Sequence, residues 1–211
     1  MKNIKYFFIA HFDLFLFLLI LVVINFPLFI GGNTNNFAFY FGHTKHWWQI
    51  FTFVFAHLTV FHFFIDVLPF LALYFFLDEK NPFWRMFYFL IIWMGNIIAV
   101  LFFHPINITS IRGLSGITYG FIIITALELI FNRKDKIIKA AGIFSFFFML
   151  WLVSYEMINQ KFPFQFLLLG SVGIPVFVCH LAGVISAIFI FSVRQVIKQG
   201  DLSKNFPNMI K

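Results

Sequence analysis

Two residues whose types could do chemistry sit where hydrocarbon is expected. Ser115 lies in Gly113-Leu114-Ser115-Gly116 and His180 in Cys179-His180-Leu181-Ala182-Gly183, each inside an apolar segment punctuated by small residues. Polar and ionisable groups within a membrane are costly unless paired. The pair therefore predicts a serine nucleophile and its general base. His62 and Asp66 are four residues apart and share a helix face, which adds groups that could stabilise an oxyanion; His57, taken as part of the same helix, is turned away from that face. Tyr119, one turn beyond Ser115, is placed to pack against the imidazole. Glu128 and Glu156 lie too near the other ends of their helices to hold the base, so the expectation is a Ser-His dyad. Cys179 is excluded as a nucleophile in partnership with His180, because adjacent helical residues point about 100° apart.

The elements that must position these groups are membrane spans. The chain of 211 residues is 62% hydrophobic and 11% charged, with a mean hydropathy of +0.94, far from the composition of a soluble domain. Crossing ~30 Å of hydrocarbon takes roughly 20 apolar residues, and six such stretches occur: 6–30, 48–77, 83–103, 114–131, 137–155 and 173–193. Turn-forming loops separate them, such as Gly31-Gly32-Asn33-Thr34 and Asp78-Glu79-Lys80-Asn81-Pro82. The expected architecture is an all-α polytopic bundle forming one membrane domain over 1–211, with a short N-terminal segment and a C-terminal tail from about 194. Lys2 and Lys5 precede a run too long for a signal peptide and without a small-residue cleavage site, so an uncleaved first span is expected. His11 and Asp13 are expected to reach the interface near its inner end.

Lys/Arg excess marks cytoplasmic loops. An inside N-terminus leaves only Lys45, Arg112 and Lys161 of the 15 basic residues outside, so both termini are expected in the cytoplasm. The net charge of +7 then faces an anionic leaflet and requires no nucleic acid. The single cysteine, Cys179, excludes an intramolecular disulfide.

In this topology the second, fourth and sixth spans enter from the outer face, which puts Ser115 at the start of the fourth. His180 lies about two turns into the sixth, roughly 10 Å deep. Gly116 and Gly120 on one span, and Cys179, Gly183 and Ala187 on the other, form small-residue faces through which two helices can approach closely.

In type and order these motifs resemble those of the rhomboid intramembrane serine proteases. The matching runs are His57-Leu-Thr-Val-Phe-His62-Phe-Phe-Ile-Asp66, Gly113-Leu-Ser115-Gly116-Ile-Thr-Tyr119-Gly120 and His180-Leu-Ala-Gly183. The resemblance implies a six-span rhomboid-like fold with Ser115 as nucleophile, His180 as base and Tyr119 against its ring. It also implies an oxyanion hole from backbone amides near Ser115, in the Gly113-Leu114 segment, together with His62 and the position of Asp66. No cofactor or metal is implied. The implied partners are the lipid bilayer and transmembrane segments of other proteins, cut near their outer end after a small residue, and the implied location is a bacterial cell membrane.

Two departures from the family pattern stand out. Trp48-Gln49 replaces the usual Trp-Arg of the first outer loop, and the Trp84-Arg85 pair is expected in an inner loop. Asp66 replaces an Asn. Desolvation could keep Asp66 protonated so that it donates as Asn would, or it could stay ionised and hold His62 as an imidazolium; the first is the expectation. The principal alternative function is an inactive rhomboid-like protein that binds membrane clients. A metal or haem protein lacks a ligand motif here, and a transporter lacks an inverted pair of broken helices.

Overall fold

The computed structural model describes residues 12–42, 44–103, 108–164 and 176–205. Their helices are α1 (Phe12–Phe29), α2 (Gln49–Thr52), α3 (Val60–Phe76), α4 (Pro82–Phe102), α5 (Ser115–Asn132), α6 (Lys136–Asn159) and α7 (Phe177–Asn205). Two short strands, β1 (Phe39–Tyr40) and β2 (Ser110–Ile111), pair antiparallel and tie the segment before α2 to the segment before α5. The chain is an all-α polytopic membrane protein: α1, α4, α5, α6 and α7 are each long and apolar enough to cross a bilayer, and α2 with α3 supplies a sixth candidate span in two pieces. The start of the sixth expected stretch, 173–175, lies outside the described residues, and α7 continues past Val193 as one helix.

The second stretch departs most from the expected pattern. A single helix over 48–77 is replaced by α2, a 3-10 turn at Phe53–Phe55 and then α3, with a bend of 82° between the pieces. Ala56 and Thr59 are both extended. Thr59 then caps α3, its Oγ1 accepting the His62 N–H at 3.0 Å, which supplies one of the orphan donors of a new helix start. His57 and Thr59 fall within the break, but so short a polar dip between two apolar arms does not divide a span of this length by hydropathy. His57 lies in the connection, and the helical-wheel argument that turned it away does not apply.

The central element is α5, buried along most of its length and packed against α3, α4, α6 and α7. It approaches α7 to backbone distance. A methyl group on Gly183 would collide with the Gly116 carbonyl oxygen, while one on Gly120 would meet the Gly183 carbonyl at 3.0 Å and the Ile92 side chain at 2.8 Å. Only small residues permit this crossing. A three-residue connection makes α5 and α6 an antiparallel hairpin, with Asp135 capping α6 through the Ile137 and Ile138 amides.

Polar groups close the end of the bundle away from Ser115. Asp13 is buried and accepts from Arg85 Nη2 at 2.8 Å and from the Tyr74 hydroxyl at 2.7 Å, joining α1, α3 and α4. The expectation that Asp13 reaches the interface is thereby corrected, as is the placement of Trp84-Arg85 in a loop: both lie in the first turn of α4, and Arg85 is buried. Glu128 accepts the Asp78 and Glu79 amides. Glu79 in turn binds Arg194 Nε at 2.9 Å and Lys198 Nζ at 3.3 Å, while Arg194 lies over the Trp84 ring.

Candidate active site

Ser115 is the first residue of α5, and the backbone that delivers it is specific. Gly113 has φ +125°, a conformation L side chains rarely adopt, and a Cβ there would also press on the His62 ring at 3.0 Å and on Asp66 Oδ2 at 3.1 Å. The turn it makes aims the Ser115 hydroxyl at α7, where Oγ lies 2.9 Å from His180 Nε2. His180 is buried, and its ring is stacked on that of Tyr119 with centroids 4.0 Å apart and planes 16° from parallel.

The other imidazole nitrogen has a partner that sequence reasoning excluded. His180 Nδ1 lies 2.5 Å from Glu156 Oε2, and Glu156 Oε1 accepts the Tyr119 hydroxyl at 2.8 Å. The exclusion of Glu156 on the ground of its position is corrected by the hairpin. Because α6 runs antiparallel to α5, its last turn lies beside the first turn of α5, so Glu156 is at the same end as Ser115. Only Glu128 is at the far end. Alternation of span direction was the signal that could have found it.

Beneath Gly113, Asp66 gathers donors. Its Oδ2 accepts the Leu114 N–H at 3.0 Å and lies 3.2 Å from His62 Nε2, while His57 Nε2, at 3.6 Å, is beyond hydrogen-bond distance. His62 Nδ1 accepts the Leu58 N–H at 3.3 Å, which leaves the ring proton on Nε2, pointing at Asp66. His57 Nδ1 lies 3.1 Å from Asn25 Oδ1, and Asn25 Nδ2 donates to the Leu21 and Phe55 carbonyls. An oxygen that collects N–H donors is placed as an acceptor. This geometry supports the ionised alternative for Asp66 over the protonated donor. It also changes what the neighbours offer, since the Leu114 amide and the His62 Nε2 proton are both directed at Asp66. The amides of Ser115 and Gly116, at a helix start without intrahelical acceptors, are the donors left beside Oγ.

Gln49 fills the place of the missing arginine differently. Buried, it accepts the Lys45 and His46 amides on Oε1 and donates to the Asn35 and Asn36 carbonyls. Arg112 reaches the same loop through Asn35 Oδ1 at 2.9 Å. Among the described residues no three His, Cys, Asp or Glu side chains are grouped so as to hold a metal ion.

A family model described as Rhomboid domain matches residues 44–195, from the loop before α2 into α7. The chain belongs to the rhomboid family. No curated protein and no solved structure matches it at a significant level. Rhomboid proteins are generally serine intramembrane proteases acting on membrane proteins within the bilayer. In this rhomboid the matched region contains Ser115, His180, Tyr119, His62 and Asp66, together with Glu156, while Asn25 and Asp13 contribute from α1, outside it.

Proposed function

We propose that the protein is an intramembrane serine endopeptidase, with Ser115 as nucleophile and His180 as general base. One observation carries the reading: Ser115 Oγ and His180 Nε2 are within hydrogen-bond distance at 2.9 Å, in a buried setting on two helices packed through glycine. Ser115 Oγ attacks the scissile carbonyl as His180 Nε2 takes its proton, and the oxyanion forms at the start of α5. There the Ser115 and Gly116 amides and the positive end of the helix dipole favour negative charge. His180 then returns the proton to the leaving amine, and water completes hydrolysis of the acyl-enzyme.

The whole chain acts as one membrane domain with both termini cytoplasmic, which turns the Ser115 end of the bundle toward the outer face and toward water. The substrate is a transmembrane segment of another protein, unwound near its outer end and cut after a small residue. The membrane is the bacterial cell membrane. Cleavage of a reporter transmembrane segment in liposomes tests the reaction: wild type is expected to cut, and Ser115→Ala and His180→Ala are expected to insert normally and not cut. Wild-type labelling by a fluorophosphonate, lost in Ser115→Ala, is the expected companion result. Retained cleavage in either variant would remove the assignment.

A further inference from the structure

Glu156 belongs to none of the motifs that single out Ser115 and His180, yet it is completely buried against both the base and the ring that covers it. We propose that Glu156 is a positioning residue for the reaction, fixing the His180 tautomer that can accept the Ser115 proton; this rests on the reading of Ser115 as nucleophile. An ionised carboxylate has acceptors only. The two groups it meets, the Tyr119 hydroxyl and His180 Nδ1, must then both donate. A proton on Nδ1 leaves the lone pair on Nε2, the atom 2.9 Å from Ser115 Oγ. Without the carboxylate, the neutral imidazole is free to carry its proton on Nε2, where it cannot act as base.

Charge adds to the tautomer argument. The groups that face Glu156 across the helix contacts are Tyr119 from α5 and His180 from α7, and among the described residues no Lys or Arg forms an ion pair with it. The imidazolium generated as Ser115 attacks is therefore the cation this carboxylate meets, in surroundings where Coulomb attraction is weakly screened. Tyr119 serves the same end twice. Its ring stacks on the imidazole, and its hydroxyl occupies Oε1, which fixes the carboxylate rotation that presents Oε2 to Nδ1. The backbone holds Glu156 as well, because the Gln160 amide at the left-handed end of α6 bonds its carbonyl at 2.8 Å.

The test compares wild type, Ser115→Ala, Glu156→Gln and Glu156→Asp on a reporter transmembrane segment in liposomes, with kcat and KM measured separately. Nitrogen-15 spectra of histidine-labelled protein report the His180 tautomer, assigned by comparison with His180→Ala. Glu156→Gln is expected to lower kcat by roughly 10² to 10⁴, the upper figure being that for neutralising the buried acid in a Ser-His-Asp triad. KM should change little, Glu156→Asp should recover part of the loss, and the His180 proton should shift from Nδ1 toward Nε2 in Glu156→Gln. Wild-type kcat in Glu156→Gln while Ser115→Ala is dead would overturn the proposal and leave the protease reading intact. So would a slow Glu156→Gln with its His180 tautomer unchanged, which is the result of a merely structural tether. A wild type that does not cleave overturns the protease reading and this proposal with it.

Discussion

The two ends of the bundle both bury ionisable groups in an apolar chain, and they handle them differently. At the far end Asp13 meets Arg85, and Glu79 meets Arg194 and Lys198, while Glu128 takes two backbone amides. Asp13 and Glu79 there close on opposite charges. At the Ser115 end the acids meet imidazoles and hydroxyls, and the chain from Glu156 through His180 stops at a half-buried hydroxyl. Pairs of opposite charge join helices. An unsaturated chain that ends on a nucleophilic atom can do chemistry, because its last proton has somewhere to go. Buried polarity in a membrane protein thus divides by how its networks terminate rather than by how many charges they hold.

Gly183→Val should break this contrast most severely. The Gly116 carbonyl occupies the space that a Cβ on Gly183 would need, so α5 and α7 must separate and carry Ser115 away from His180. A displacement near 1 Å costs on the order of a hundredfold in rate; a valine should cost at least that in kcat, measured with the liposome reporter. Unchanged kcat would show that the 2.9 Å contact does not depend on this crossing.

Asp66 gives a smaller and more graded effect. Asp66→Leu removes the acceptor for the Leu114 amide and for His62, loosening the turn before Ser115, and should lower kcat by roughly 10²-fold. Asp66→Asn keeps an oxygen that can accept the Leu114 N–H, so its loss should stay within about tenfold. An Asn variant as impaired as the Leu variant would show that the charge itself is needed, while a fully active Leu variant would remove Asp66 from the site.

The far end should respond in stability and leave kcat alone. Burial by itself would raise the Glu79 carboxyl, but its hydrogen bond from Arg194, helped by the Asn81 amide and Lys198, outweighs this and holds it below the usual carboxylate range. A depressed folded value means that the stabilisation is fully present above the ordinary glutamate pKa of about 4.3 and is lost as pH falls through the folded value. Glu79→Gln should therefore lower neutral-pH stability by about 1 kcal/mol or less and flatten the loss of thermal stability below about pH 4. Changed kcat at neutral pH would mean that the two ends are coupled.

Much of this was legible in the chain. The apolar lengths that make α1, α4, α5, α6 and α7 candidate spans, the small residues that let α5 and α7 meet, and the Ser115 and His180 motifs are local properties, readable because hydropathy and residue size act within a helix turn or a span. Three things were not. The break at 56–59 leaves only a short dip at His57 and Thr59 between two apolar arms, too short to divide a span by hydropathy, and it is the backbone of Ala56 and Thr59 and the Thr59 cap that mark it. That break is what brings His57 toward Asp66. The direction of the Asp66 hydrogen bonds depends on where the Leu114 amide points, which the Gly113 turn decides.

Glu156 marks the division most clearly. The sequence by itself determined that a carboxylate lies near the end of a long apolar helix, and that a serine and a histidine lie in small-residue segments capable of close packing. Which end of that helix lies beside Ser115, and which of two intramembrane glutamates meets His180, was decided by the antiparallel pairing of α5 with α6 and the glycine contact of α5 with α7. The physical reason is range. Propensity and hydropathy act between neighbours in the chain, whereas a hydrogen bond between His180 and Glu156 requires two helices to be packed in one register, and that register is fixed only when all the surrounding helices are in place.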